Sequence, residues 1–212
     1  MHKLSPQLAL LCLICSLSGC AIGNHYDYKS VRAPLPHATK KITVAVAAVD
    51  RREDLLTSEV QSNYVGMTRN RFGIPFRVYT KSGQPLVVDL SQAVAANLEK
   101  SGYQTTALSG FPVSDVAAAK SRLKAAHARR QILITLKQWE SDTLIHTDMT
   151  TEVKVQVFNG AGQLLAEESD LVCKGLGGNF ITPFCYAREN LRAETSRMLT
   201  RIFSSAKIKS SL

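Results

Sequence analysis

The sequence predicts an α/β (α+β) domain, with a mixed or antiparallel sheet of about five to six strands and two to three helices packed mainly on one face. Three observations carry this expectation. Ile42 to Asp50 alternates branched apolar residues with small ones, as a strand covered on both sides does. Asp89 to Gly102 and the stretch from about Pro183 or Tyr186 to Ser204 space their apolar residues at helical intervals. Asp148 to Phe158 and Gln163 to Val172 meet at Asn159-Gly160-Ala161-Gly162, which reads as a hairpin with one wet face.

The elements follow in order. After the first strand, Asp50-Arg51-Arg52-Glu53-Asp54 forms a charged loop, and Glu59 to Pro75 is polar and rich in Gly and Asn. Arg69, Arg71 and Arg77 fall in or near that stretch, close to Gly66 and Gly73. A Gly-rich basic loop can hold an anion on backbone amides, whereas an exposed hairpin or insertion explains the same residues without a ligand. Phe76 to Thr80 is a short strand and Lys81 to Pro85 a turn. Asp89 with Gln92 makes an acceptable capping box for a helix whose face is Leu90, Val94 and Leu98. Tyr103 to Leu108 returns as a strand, and Ser114 caps a second helix running to about Arg130. Its inner face is Val116, Ala119, Leu123 and Ala126, and its outer face is basic. Gln131 to Glu140 is the strongest strand, with Trp139 read as a core plug. Gly175, Gly177 and Gly178 read as a loop. In the last helix Leu191, Thr195, Met198, Leu199 and Ile202 face inward, and residues 206–212 form a frayed tail.

The N-terminus sets the expected location. His2 and Lys3 precede an apolar run, Leu8 to Cys15, that is too short to cross a bilayer as a helix. A buried helix of the domain is the alternative, but the basic head and missing amphipathic stripe speak against it. Leu17-Ser18-Gly19-Cys20 resembles the lipobox of bacterial lipoproteins. That resemblance implies removal of residues 1–19 as a signal peptide and acylation of Cys20, with palmitate among the usual chains. Each buried methylene contributes about 0.8 kcal/mol, so two or more chains hold where one does not. By the same resemblance, Ala21 after the cysteine implies an outer-membrane lipoprotein, lipid-anchored and facing the periplasm. Residues 20–41, with Pro34 and Pro36, read as an extended tether ahead of a single α/β domain over 42–205.

Removing 19 of the 212 residues, with Lys3, lowers the formal charge from +9 to +8. Such charge would suggest nucleic acid in a cytoplasmic chain, and export takes that partner away. Phospholipid head groups, lipopolysaccharide and peptidoglycan remain as anionic partners, beside a basic surface that is merely solvated. Cys173 and Cys185, with eleven residues between them, are expected to pair as a disulfide in an oxidising compartment. Closing that loop would contribute up to about 3 kcal/mol. Two separate thiols are the alternative. No Cys-x-x-Cys or clustered histidine argues for a metal, and no cofactor is expected.

A search for catalytic chemistry finds no His-Glu-x-x-His or Gly-x-Ser-x-Gly, so no catalytic residue is assigned and no enzyme activity is expected. Glu140 with Asp142, and Glu167, Glu168 with Asp170, are carboxylate clusters at polar strand positions, where solvation accounts for them. Val49-Asp50-Arg51-Arg52, the helix ending at Gly102-Tyr103 and the late hairpin together resemble the YajG-type lipoproteins and, more distantly, TolB N-terminal and LpoB-type modules. A tethered, basic domain without a catalytic constellation is expected to be an envelope binding or scaffolding module, for instance with a protein partner. Binding of anionic lipid or glycan through Arg69, Arg71 and Arg77 is the second expectation, and a cell-wall hydrolase using Glu140 or Asp142 a distant third.

Overall fold

The computed structural model describes residues 25–212. In chain order they form β1 (His25–Tyr26), β2 (Thr43–Asp50), α1 (Glu53–Leu56), β3 (Tyr64–Arg69), β4 (Pro75–Thr80), α2 (Leu86–Lys100), β5 (Gln104–Ala107), α3 (Val116–Ala125), β6 (Arg130–Thr143), β7 (His146–Asn159), β8 (Leu164–Gly178), α4 (Pro183–Ser204) and α5 (Ala206–Ser211). Eight strands make one mixed sheet, more than the five to six expected. Five helices replace the expected two to three, because α1 and α5 are too short to announce themselves by periodicity.

β6 sets the topology. β7 pairs antiparallel along its whole length, from Arg130 opposite Asn159 to Thr143 opposite Thr147. Its other edge is divided between two partners. β2 runs parallel to the first half, ending with Asp50 opposite Leu136, and β3 runs parallel to the last residues, Asp142 and Thr143. β5 flanks β2; β4 and then β1 flank β3; β8 flanks β7.

Strand alternation then divides the core. Val44, Val46, Ala48, Ile132, Ile134 and Leu136 belong to the large core beneath α2 and α4. Ala45, Ala47, Val49 and Leu133 face the other way, into a smaller core with Ala119 and Leu123 of α3. Helices therefore cover both faces of β2, and the one-sided packing expected from the sequence is corrected. The Val-Ala alternation of β2 fits two helical layers at close range. Beyond α3, the second face of β6, β7 and β8 is open and carries the Lys137–Glu152 and Lys154–Glu167 ion pairs.

Where β2 ends, Asp50 and Arg52 form a fully buried pair. The Arg52 guanidinium donates to both Asp50 carboxylate oxygens from Nε (2.9 Å) and Nη2 (2.8 Å), and from Nη1 to the Tyr64 carbonyl (2.8 Å). β3 is thereby tied to the end of β2, beside the edge of β6 that it must share. Gly66 permits the approach: its φ is +148°, and a Cβ there would lie 2.1 Å from Ser141 Oγ of β6.

Four expectations are corrected. From His25 on, the tether is part of the domain: Tyr26, Tyr28, Val31, Ala33 and Leu35 are buried. Tyr28 packs edge-to-face on Trp139 at 5.0 Å, and burial pushes the Tyr26 phenol up to about 12. Asn97 of α2 and Ser101, which caps its C-terminus, donate to the Val31 and Leu35 carbonyls, and Arg192 of α4 donates to that of Ser30. The segment is a strap, tied to both long helices. Asp89 is not a cap, since α2 starts at Leu86 after Pro85; its buried carboxylate instead accepts from Ser82 Oγ at 2.9 Å. α3 is capped by Asp115, one residue after Ser114, and stops at Ala125 because His127 (φ +50°) turns the chain into β6. The frayed tail is the helix α5, seated by Ile208 (0 % exposed) and held by Arg130, which donates to the Ser211 carbonyl.

The inner face expected of the last helix is buried throughout, with Glu194 beside it. Burial pushes the Glu194 carboxyl up, but hydrogen bonds from Arg197 and Arg201 outweigh it and hold the group below its ordinary value. Arg197 reaches Glu194 along the same helix, whereas Arg201 also binds Asp170 at 2.7 Å and so locks α4 onto β8.

Asp50→Ala leaves a guanidinium buried without its carboxylate. Urea unfolding should register a loss of about 3–5 kcal/mol, largely recovered when Arg52→Met is added.

Candidate functional site

The sheet register brings three connections to one end of the molecule. The β3–β4 tip follows Arg69, which lies opposite Pro75; the β6–β7 turn follows Thr143, beside Thr68; and the β8–α4 loop follows Gly178, opposite His146. Asn179 donates its backbone N–H to the Ile145 carbonyl (3.1 Å), stitching the last two together. Five adjacent strands at about 4.8 Å spacing put the three tips along a rim roughly 20 Å wide.

That rim is apolar where turns are ordinarily polar. Phe72 is 90 % exposed, Ile181 84 % and Phe180 71 %, with Ile74, Leu144 and Ile145 beside them. Counting Phe76 and Phe184, eight of the twelve large exposed hydrophobic side chains among the described residues lie at this end, so it is a patch rather than scatter. The sequence carries the signal as apolar residues inside Gly- and Asn-containing turns, at Phe72-Gly73-Ile74 and Asn179-Phe180-Ile181. Periodicity does not detect it, because these residues belong to no strand or helix.

The three arginines expected to bind anions lie at the same end, in different states. Arg69 donates from Nε and Nη2 to both Asp142 oxygens, at 2.7 Å for the closest, which holds its guanidinium above the usual arginine range. Arg77 lies on the same face as a diagonal neighbour across the β3–β4 pair, and Arg71 occupies the tip. Arg71 and Arg77 are exposed and form no ion pair among the described residues. The loop is an antiparallel hairpin, bulged between Tyr64 and Gly66, whose tip amides at Phe72 and Ile74 donate to Asn70 Oδ1, so the structure supplies arginine side chains and not a backbone cradle.

Cys20 lies outside the described residues. Cys173 and Cys185 are both exposed and free, a correction to the expected disulfide. The reason is the length of β8, which continues through Gly175, Gly177 and Gly178 instead of looping back. Lys174 sits level with Glu194 of α4 (3.4 Å), nine residues or about 13 Å along the helix from Cys185. A disulfide needs Cα atoms within about 7 Å. Cys173 Sγ instead lies 3.9 Å from the Thr150 hydroxyl.

The carboxylates considered for acid–base work are placed separately. Glu140 and Asp142 share the open face of β6, with Asp142 committed to Arg69; Glu167 and Asp170 are held by Lys154 and Arg201. At the opposite end of the sheet, an open depression of about 690 Å³ is lined by Arg130, Leu164, Leu165, Glu167, Lys207 and Ser211, among others. No helix of the described residues is long and apolar enough to cross a membrane.

No family model and no curated protein matches the chain. Among solved structures it is similar to the DUF330 protein XCC0632 from Xanthomonas campestris, with a TM-score of 0.53 and 14 % identity over 85 % of this chain and 94 % of that one. An uncharacterised protein is matched at a TM-score of 0.44 and 10 % identity, covering 82 % of this chain and all of the other. Lipoprotein GNA1162 from Neisseria meningitidis is matched at 0.32 and 11 %, covering 74 % and 99 %. The XCC0632 likeness shows a common α+β fold; the YajG, TolB and LpoB resemblance is not shown by these comparisons.

With no reductant present, a small maleimide should modify both Cys173 and Cys185 in the native protein. Recovery of a disulfide-linked peptide joining them would overturn the strand placement of Cys173.

Proposed function

We propose that the chain is a lipid-anchored envelope protein that acts as a binding or scaffolding module on the periplasmic side of the outer membrane. The observation that carries this reading is Leu17-Ser18-Gly19-Cys20, set five residues ahead of a strand that joins the sheet. Lipid on Cys20 would be connected to a packed domain with almost no slack. The open face of β6, β7 and β8, the apolar rim and the depression beside α5 are the surfaces such a module has for a protein partner. Cys20→Ala is expected to abolish palmitate incorporation and to move the protein from the outer-membrane fraction to the soluble one. Retention of label and membrane density in that variant would refute the reading.

Binding of anionic lipid or glycan is a second reading, favoured by the exposed Arg71 and Arg77. On it, affinity for lipopolysaccharide or peptidoglycan falls with added salt and falls again in the Arg71→Ser, Arg77→Ser double variant. Arg69 is left out because its partner is Asp142.

A further inference from the structure

We infer that the apolar rim is a bilayer-docking surface: Phe72, Ile74, Leu144, Ile145, Phe180 and Ile181 enter the membrane interface, and the sheet stands on that end. The inference rests on the proposed acylation of Cys20, and two features of the structure support it.

The first is where the chain enters. β1 runs parallel to β4, with His25 opposite Tyr79 and Tyr26 opposite Thr80. β4 itself begins at Pro75, beside the rim. Backwards from His25, the chain direction is therefore toward the rim. Tyr79 stands four residues, about 13 Å, from Pro75, and the five residues from Cys20 to His25 reach at most about 18 Å. The rim therefore lies within reach of an acylated Cys20, and so short a connection leaves too little chain to let the domain stand clear of the bilayer. The strap fixes the entry point, since Tyr26 and Tyr28 are buried immediately behind it.

The second is chemistry. Exposed aromatic and branched side chains on turn tips, flanked by arginines, match an interface whose outer layer is phosphate and whose inner layer is hydrocarbon. Arg71 sits in the tip with Phe72, and Arg77 follows Phe76, so head-group contacts and apolar insertion fall on one hairpin. Of the acidic groups near this end, Asp142 is held by Arg69, while Asp148 and Glu189 are exposed. The opposite end, around Leu164 and Leu165, has apolar side chains too, but they stand at the far end of the 15-residue β8 from the rim.

The test uses the full acylated protein in phosphatidylethanolamine–phosphatidylglycerol vesicles, with Cys173→Ser and Cys185→Ser removing the native thiols. An environment-sensitive fluorophore is placed singly through Phe72→Cys, Ile181→Cys or Leu164→Cys, and mass spectrometry reads acylation of the same samples. Docking gives a blue shift, quenching by brominated acyl chains and protection from aqueous iodide at 72 and 181, with none of these at 164. Acylated protein whose probes at 72 and 181 remain open to iodide and insensitive to bromolipid overturns the docking and leaves the anchor standing. Protein without acyl chains overturns the anchor, and the docking with it. Ser replacements at Phe72 and Ile181, which are exposed and leave the core untouched, should open the rim to iodide in acylated protein labelled at 145 through Ile145→Cys.

Discussion

A guanidinium withdrawn from water needs every one of its donors answered, and the arrangement that answers those of Arg52 is the joint on which the sheet turns. The Asp50 carboxylate and the Tyr64 carbonyl surround it where β2 stops and β3 begins. Breaking such a pair leaves an uncompensated buried charge, so the cost of error is high. The pair therefore fixes one way for the chain to pass from the first half of β6's edge to the second. Without that fixation the hairpin of β3 and β4 would be joined to β6 chiefly by the Asp142 and Thr143 pairing and the Arg69–Asp142 bridge at the surface, and exposed bridges contribute little.

Two layers of consequence follow from the joint. On the main face, the hairpin supplies Val65 and Val78 to the large core, against which Tyr26, Tyr28 and Trp139 also pack. On the other face, it leaves β6 uncovered beyond α3, so the second core is small and the long strands β7 and β8 present an open, ion-paired surface. The helices are locked by charge at their outer edges as well as by apolar burial. Glu194, between Arg197, Arg201 and Lys174, is the clearest case.

Much of this was legible in the sequence wherever one element was covered on a known side. β2 was readable as a doubly covered strand and the first half of β6 as a strong one, and the inner face of α4 was readable residue by residue. The late hairpin was readable from Asn159-Gly160. What escaped was decided by distant partners. β8 runs on past Val172 because β7 offers a paired edge as far as His146, and Gly175 to Gly178 complete that ladder although glycine favours loops. Gly178 is required there, since a Cβ would lie 2.2 Å from the Ile145 carbonyl oxygen. The strap has its apolar residues at 26, 28, 31, 33 and 35, interrupted by Asp27, Lys29 and two prolines, so neither helical nor strict strand periodicity marks it. The rim escaped for the opposite reason: its residues share no element and become neighbours only through the register of five strands. The expected disulfide failed on the same ground, because spacing along the chain says nothing about how far a strand carries a cysteine.

The three longest strands, of 14, 14 and 15 residues, lie side by side. At about 3.3 Å per residue they form a strut roughly 45 Å long. The Debye length at physiological salt is about 8 Å. Charge placed at one end is thus screened several times over before it reaches the other. The arginines of the hairpin and the Arg130 and Lys207 cations beside α5 act as separate electrostatic bodies on one rigid frame, free to face environments of unlike charge.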